Sequence, residues 1–254
     1  MAGGKKDTLN ETRLVLQGDS PQITEPIRHF TEFEHPAGAT QTKGEISACI
    51  EDTGVIPFVS EGSPEDILFV AEALVAAGIP IIEISMNGPG AIDVISHLVK
   101  YAPTMIVGAG NIRNVNTACK CVDAGAKFLA TDGAISGVVE FAAEENLVAI
   151  PGALTPTEVI SLWDAGADFV KVAPCYAVGG HKYIQTLKAA VPPARLIAAG
   201  GVTQLTALNY VMAGVAGLSV GEELIPKEAI VLRQARRIQE LARRFLTAVQ
   251  TGRV

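Results

Sequence analysis

From about residue 44 onward the chain shows two alternating patterns of apolar and polar positions. Short apolar runs occur at "VIPFV" (55–59), "PIIEIS" (80–85), "MIVGAG" (105–110), "KFLATDG" (127–133), "LVAIPG" (147–152), "FVKVAP" (169–174), "LIAAGG" (196–201) and "GLSVGE" (217–222). Their length and their β-branched residues read as strands. Between them lie longer stretches with helical spacing. In "SPEDILFVAEALVAAG" (63–78), Ser63 suits the N-cap, Pro64 the first turn and Gly78 the stop. "TPTEVISLWDAG" (155–166) repeats that grammar with Thr155, Pro156 and Gly166. Strand and helix candidates in alternation predict a parallel sheet. Eight such units closing on themselves make an α/β protein of the (β/α)8 barrel type, the TIM barrel. An open doubly wound sheet is the rival, but no G-x-G-x-x-G follows the first run.

The two ends differ from this beat. "KEAIVLRQARRIQELARRFLTAV" places Val231, Ile238, Leu241, Phe245 and Val249 at helical spacing, with Arg233, Arg236, Arg237, Arg243 and Arg244 among them. It reads as the last barrel helix with a solvated basic face. Residues 1–43 are polar and interrupted by Pro21, Pro26 and Pro36. They read as an N-terminal extension to a single domain spanning 44–254.

Composition narrows the function. The chain has 254 residues, is 48% hydrophobic and carries a formal net charge of −7. That balance gives no reason to expect nucleic acid or an anionic membrane as a partner. No run of about 18 apolar residues marks a membrane span, and the first twenty residues lack the apolar stretch of a signal peptide. Cys49, Cys119, Cys121 and Cys175 read as ordinary thiols of a cytoplasmic protein. The C-x-C of Cys119 and Cys121 has no nearby His or Cys to complete a metal site.

Chemistry is expected at the C-terminal ends of barrel strands. Lys171 stands in the middle of the sixth run, and lysine is among the residues least often buried. Burial disfavours the charged form of an amine, and a neutral amine is a nucleophile toward ketones. Glu83 stands in the second run, where a carboxylate can shuttle protons. A buried Lys171–Glu83 ion pair without chemistry is the competing reading. The third run ends at Gly108-Ala109-Gly110-Asn111, the sixth at Pro174, the seventh at Gly200-Gly201 and the eighth at Gly221-Glu222. Glycines there let backbone N–H groups approach an anion, or simply make tight turns.

Taken together, "ALVAAGIPIIEISMNGPGAIDVI", "IVGAG", "DAGAKFLATDG", "IPGALTPTEV", "FVKVAP", "AAGGV" and "GEELIP" resemble the KDPG/KHG aldolase family (2-keto-3-deoxy-6-phosphogluconate and 4-hydroxy-2-oxoglutarate aldolases) over about residues 45–228. The resemblance implies a class I aldolase, typically a homotrimer, acting on a small 2-keto acid without metal or other cofactor. Lys171 matches the lysine that forms a Schiff base with pyruvate, and Glu83 matches the general acid/base. Asn111 replaces the Thr of a G-A-G-T motif. Asn87 occupies the position of an arginine that can hold the substrate carboxylate, and the end of the first run offers no arginine either. Arg113 is the remaining substitute, although its place ahead of a helical stretch also suits a solvent-facing side chain. Ala198-Ala199-Gly200-Gly201 replaces P-T-G-G, and Val220-Gly221-Glu222 replaces G-G-S, bringing a carboxylate to a phosphate position. The expected activity is cleavage or formation of 2-keto-3-deoxy sugar acids or 4-hydroxy-2-oxoglutarate. A non-catalytic trimeric barrel acting as a scaffold or binding protein is the alternative.

Overall fold

Ser63, Thr155 and Thr42 each start a helix in the same way. Each side chain accepts from the backbone N–H three residues on, and Asp66, Glu158 and Glu45 reach back to the cap. These reciprocal bonds satisfy helix donors that would otherwise lack partners. The structure, a computed structural model, describes residues 41–253, so residues 1–40 of the N-terminal extension lie outside the described residues. The strands are β1 (Val55–Val59), β2 (Ile81–Ser85), β3 (Ile106–Gly110), β4 (Phe128–Ala130), β5 (Val148–Ile150), β6 (Gly152–Ala153), β7 (Val170–Val172), β8 (Leu196–Ala199) and β9 (Gly217–Val220). The helices are α1 (Lys43–Thr53), α2 (Pro64–Val75), α3 (Ala91–Tyr101), α4 (Val115–Asp123), α5 (Val138–Glu144), α6 (Pro156–Asp164), α7 (His181–Ala190), α8 (Ala207–Met212), α9 (Lys227–Val231) and α10 (Ala235–Gly252).

All pairings are parallel, in the order β5-β4-β3-β2-β1-β9-β8-β7-β6. The two ends of that order, β5 and β6, are consecutive in the chain and flank Pro151. They are one barrel stave, read as the single run 147–152, that is interrupted where proline offers no N–H to the ladder. Asp168 and Phe169 donate to the Ala149 carbonyl at 3.1 and 3.2 Å, and Lys171 donates to that of Pro151 at 2.8 Å. The eight expected runs therefore close into a barrel. Its core is continuous, because the strands are buried on both faces by the axis on one side and by the helices on the other.

The chain's C-terminal stretch differs from its reading as one helix. It breaks into α9 and α10 at Arg233, whose φ of 50° is left-handed. Val231 is 78% exposed, while Ile238, Phe245 and Val249 are buried against the barrel. Ahead of β1, α1 buries Ile46 and Ile50 and lies against β1, β5 and β9. Among the described residues, no helix is long and apolar enough to cross a membrane.

Candidate active site

Lys171 lies on β7 and is 3% exposed; Glu83 lies on β2 and is fully buried. Their side chains meet inside the barrel, with Lys171 Nζ donating to Glu83 Oε1 at 2.5 Å. The second carboxylate oxygen, Glu83 Oε2, is buried without a partner. The Phe58 ring of β1 stands 6.0 Å from Nζ.

Room for this pair comes from β3. A Cβ built on Gly110 would lie 2.1 Å from Glu83 Oε1, and one on Gly108 would lie 2.1 Å from the Phe128 ring. No side chain fits at either position, so the "IVGAG" run is what seats the carboxylate beside the amine. Asn111 follows with a left-handed φ of 54° and turns inward. It is 8% exposed, its Oδ1 accepts from Ser85 Oγ at 2.6 Å, and its Nδ2 donates to Asp132.

Lys171 opens onto a cavity of about 780 Å3 at the C-terminal ends of the strands. Of the residues expected there, Lys171, Asn111, Pro174, Gly200, Gly201, Gly221 and Glu222 line it. Gly200 and Gly201 take φ of 75° and 82°, where L side chains are strained. A Cβ on Gly200 would also lie 2.9 Å from Pro174 Cα. Behind this turn the Cys175 sulfur lies 3.2 Å from both the Gly200 carbonyl and Tyr210 Oη, and its single S–H can donate to one of them. Burial pushes the Cys175 thiol up, which keeps it protonated and able to donate.

The structure does not bring Asn87 and Arg113 into this cavity. Both are exposed, and Arg113 Nη2 donates to the side-chain Oδ1 of Asn87 at 3.4 Å. The chain turns away directly after β2, with Asn87 N–H bonded to Ser85 Oγ at 3.2 Å. Arg113 stands on the approach to α4, next to its N-cap Asn114.

Several lining residues were not picked out from the sequence: Phe58, Glu61, Asp132, Ser219, Glu223 and Lys227. Lys227 forms an ion pair with Glu61 and stands 3.7 Å from Glu222. The hydrogen bond between Lys227 and Glu61 raises the lysine's pKa and lowers the glutamate's, so the pair stays charged. Glu222, expected to repel a phosphate unless it turned away, is 71% exposed at this rim and leans on Lys227. Among the described residues, no three His, Cys, Asp or Glu side chains converge as a metal site.

A family model described as KDPG and KHG aldolase matches residues 46–241. A KHG/KDPG aldolase of Escherichia coli K12 is 29% identical over 189 residues, which cover 74% of this chain and 89% of that protein. A KDPG aldolase from Legionella pneumophila, solved with pyruvate captured at low pH as a covalent carbinolamine intermediate, superposes with a TM-score of 0.73. It shares 27% identity and covers 78% of this chain and 96% of its own. A cube-shaped porous cage, designed by fusing symmetric oligomeric domains, superposes with a TM-score of 0.71 at 26% identity over 79% of this chain and 73% of its own.

Proposed function

The chain belongs to the KDPG and KHG aldolase family, and on that premise we propose that it is a class I aldolase in which Lys171 is the Schiff-base lysine and Glu83 the acid/base. The observation that carries this reading is the 2.5 Å contact between Lys171 Nζ and Glu83 Oε1 beside the open cavity. Lys171 attacks the C2 ketone of a 2-keto acid as the free amine. Glu83, its partner at 2.5 Å, takes the ammonium proton that frees the amine and returns it to the carbinolamine hydroxyl, which leaves as water to give an iminium and an ionised Glu83. Glu83 takes the proton of the C4 hydroxyl, and the C3–C4 bonding pair moves toward the iminium nitrogen. An aldehyde leaves, and the enamine of pyruvate remains. Glu83 returns its proton to C3, and water attacks C2 to release pyruvate and the amine. The unpartnered Glu83 Oε2 supports this role, since a free buried lone pair has capacity for that proton or for a relaying water.

The test is borohydride reduction of the native protein with pyruvate, followed by intact mass and peptide mapping. One pyruvate-derived addition per chain, at Lys171, is expected. Labelling at surface lysines alone, or none, would leave Lys171 and Glu83 as a structural pair and return the scaffold reading, which otherwise lacks support.

A homotrimer in the cytoplasm belongs to the same proposal. The four cysteines are all free thiols, which supports a reducing compartment. The likeness to the oligomeric cage components supports association. Sedimentation of the native protein is expected to give one species of three chains; a monomer at micromolar concentration would reject it.

A further inference from the structure

Lys171 and Lys227 are the only cations among the described residues lining the cavity; no arginine reaches it. Lys171 is committed to the keto carbon in the aldolase reading. Lys227 is already neutralised by Glu61 and Glu222. Against these stand four lining carboxylates: Glu61, Asp132, Glu222 and Glu223. A second anionic group on the substrate would enter a cavity with no side-chain cation left to meet it, and like charges about 4 Å apart repel.

Asp132 sits close to the chemistry. Its carbonyl carbon lies 2.2 Å from where a Cβ on Gly152 would be, so its backbone leans directly on β6. Gly152 is the register partner of Lys171. Asp132 also holds Asn111 in a fixed orientation. The Asn111 carbonyl oxygen is taken by Ser85 and one amide hydrogen by Asp132. One amide hydrogen of Asn111 and the second oxygen of Asp132 remain, a donor and an acceptor side by side on two lining residues.

We propose that this cavity selects an uncharged hydroxyaldehyde as the aldol partner of the keto acid, with Asp132 as a specificity-determining residue that accepts a hydrogen bond from a hydroxyl of that aldehyde while Asn111 donates to it. The proposal rests on the aldolase reading above and narrows it to unphosphorylated 2-keto-3-deoxy sugar acids. A hydroxyl both donates and accepts, matching the pair. A phosphate or carboxylate only accepts and would face Asp132 as a like charge. An ammonium only donates and would leave the Asn111 hydrogen without a partner.

The experiment begins with pyruvate and borohydride at Lys171, which reads the aldolase chemistry without any aldehyde. Condensation of pyruvate is then compared with glyceraldehyde, glyceraldehyde 3-phosphate and glyoxylate. Pyruvate is common to all three, so its own charge cancels. Glyceraldehyde is expected to have the highest kcat/KM, by at least tenfold, about 1.4 kcal/mol. Asp132→Asn keeps an acceptor for Asn111 and removes the charge. It is expected to raise both anionic aldehydes relative to glyceraldehyde by about tenfold. Labelling together with a preference for an anionic aldehyde, or with an Asp132→Asn ratio that does not move, overturns the inference and leaves the aldolase intact. Absence of labelling overturns both.

Discussion

Lys171→Ala is expected to leave no measurable turnover and no pyruvate that borohydride can trap. The amine is the electrophile-forming group in the proposed sequence, and among the described residues lining the cavity no other lysine is free to replace it: Lys227 is held by two carboxylates. The substitution also has a structural cost that separates it from a surface change. Glu83 is fully buried, with Lys171 as the partner of one oxygen and none for the other. Removing one member of a buried pair typically costs about 3–5 kcal/mol, because the remaining charge is stranded. The single variant is therefore expected to melt below the native protein. The double variant Lys171→Ala with Glu83→Gln, which removes both charges, is expected to regain part of that loss while remaining inactive. Urea unfolding of the three proteins gives the comparison. A Lys171→Ala protein with the native rate would end the mechanism outright.

Glu83→Gln should separate covalent capture from turnover. Glutamine keeps the shape of the side chain, and the space that Gly110 leaves for it is unchanged. What disappears is a group that can take and return a proton. Loss of a positioned acid/base typically slows a reaction about 10²–10⁴-fold. The variant is expected to accumulate labelled enzyme with pyruvate and borohydride while cleaving substrate in that reduced range. A loss of less than tenfold would move the proton transfer to another group, with Asp132 the first to examine.

The barrel was legible in the sequence because a parallel sheet covered on both faces turns each strand into a short apolar run. Every one of the eight runs contains a strand, and the caps at Ser63 and Thr155 sit where their side-chain chemistry placed them. Two breaks were not legible. Pro151 lies inside a run that is apolar throughout, so its effect on the ladder shows only in the pairing. The last helix breaks at Arg233 although helical spacing continues across the break, from Val231 to Ile238. Periodicity registers spacing, not the left-handed residue in between.

For the site, Lys171 and Glu83 stood out because each is a charge inside an apolar run. That the two touch, 88 residues apart, follows only from closing the barrel. Asn87 follows from the resemblance, as the position of a carboxylate-binding arginine, and Arg113 as the substitute for that arginine, and the turns after β2 and β3 carry both outward. Asp132 escaped notice because "TDG" has the composition of a turn, and Lys227 because it reads as the opening of a helix after Pro226. A side chain that enters a cavity from a loop leaves no mark on the periodicity of the strand before it.

The underside of the barrel has a consequence of its own. Arg253 bonds the carbonyls of Asp52 and Ala216 at 3.2 and 2.8 Å, where β1 and β9 begin, and Lys43 meets Asp168 at 2.8 Å just ahead of β7. Both the first described helix and the tail of the last one are thus moored at the pole opposite the cavity. A fluorophore, a bead or a fused protein joined through the C-terminus would hang from the base, at the pole away from the cavity lined by the described residues. Immobilisation can therefore exploit the same face at which α1 and the end of α10 are tied down.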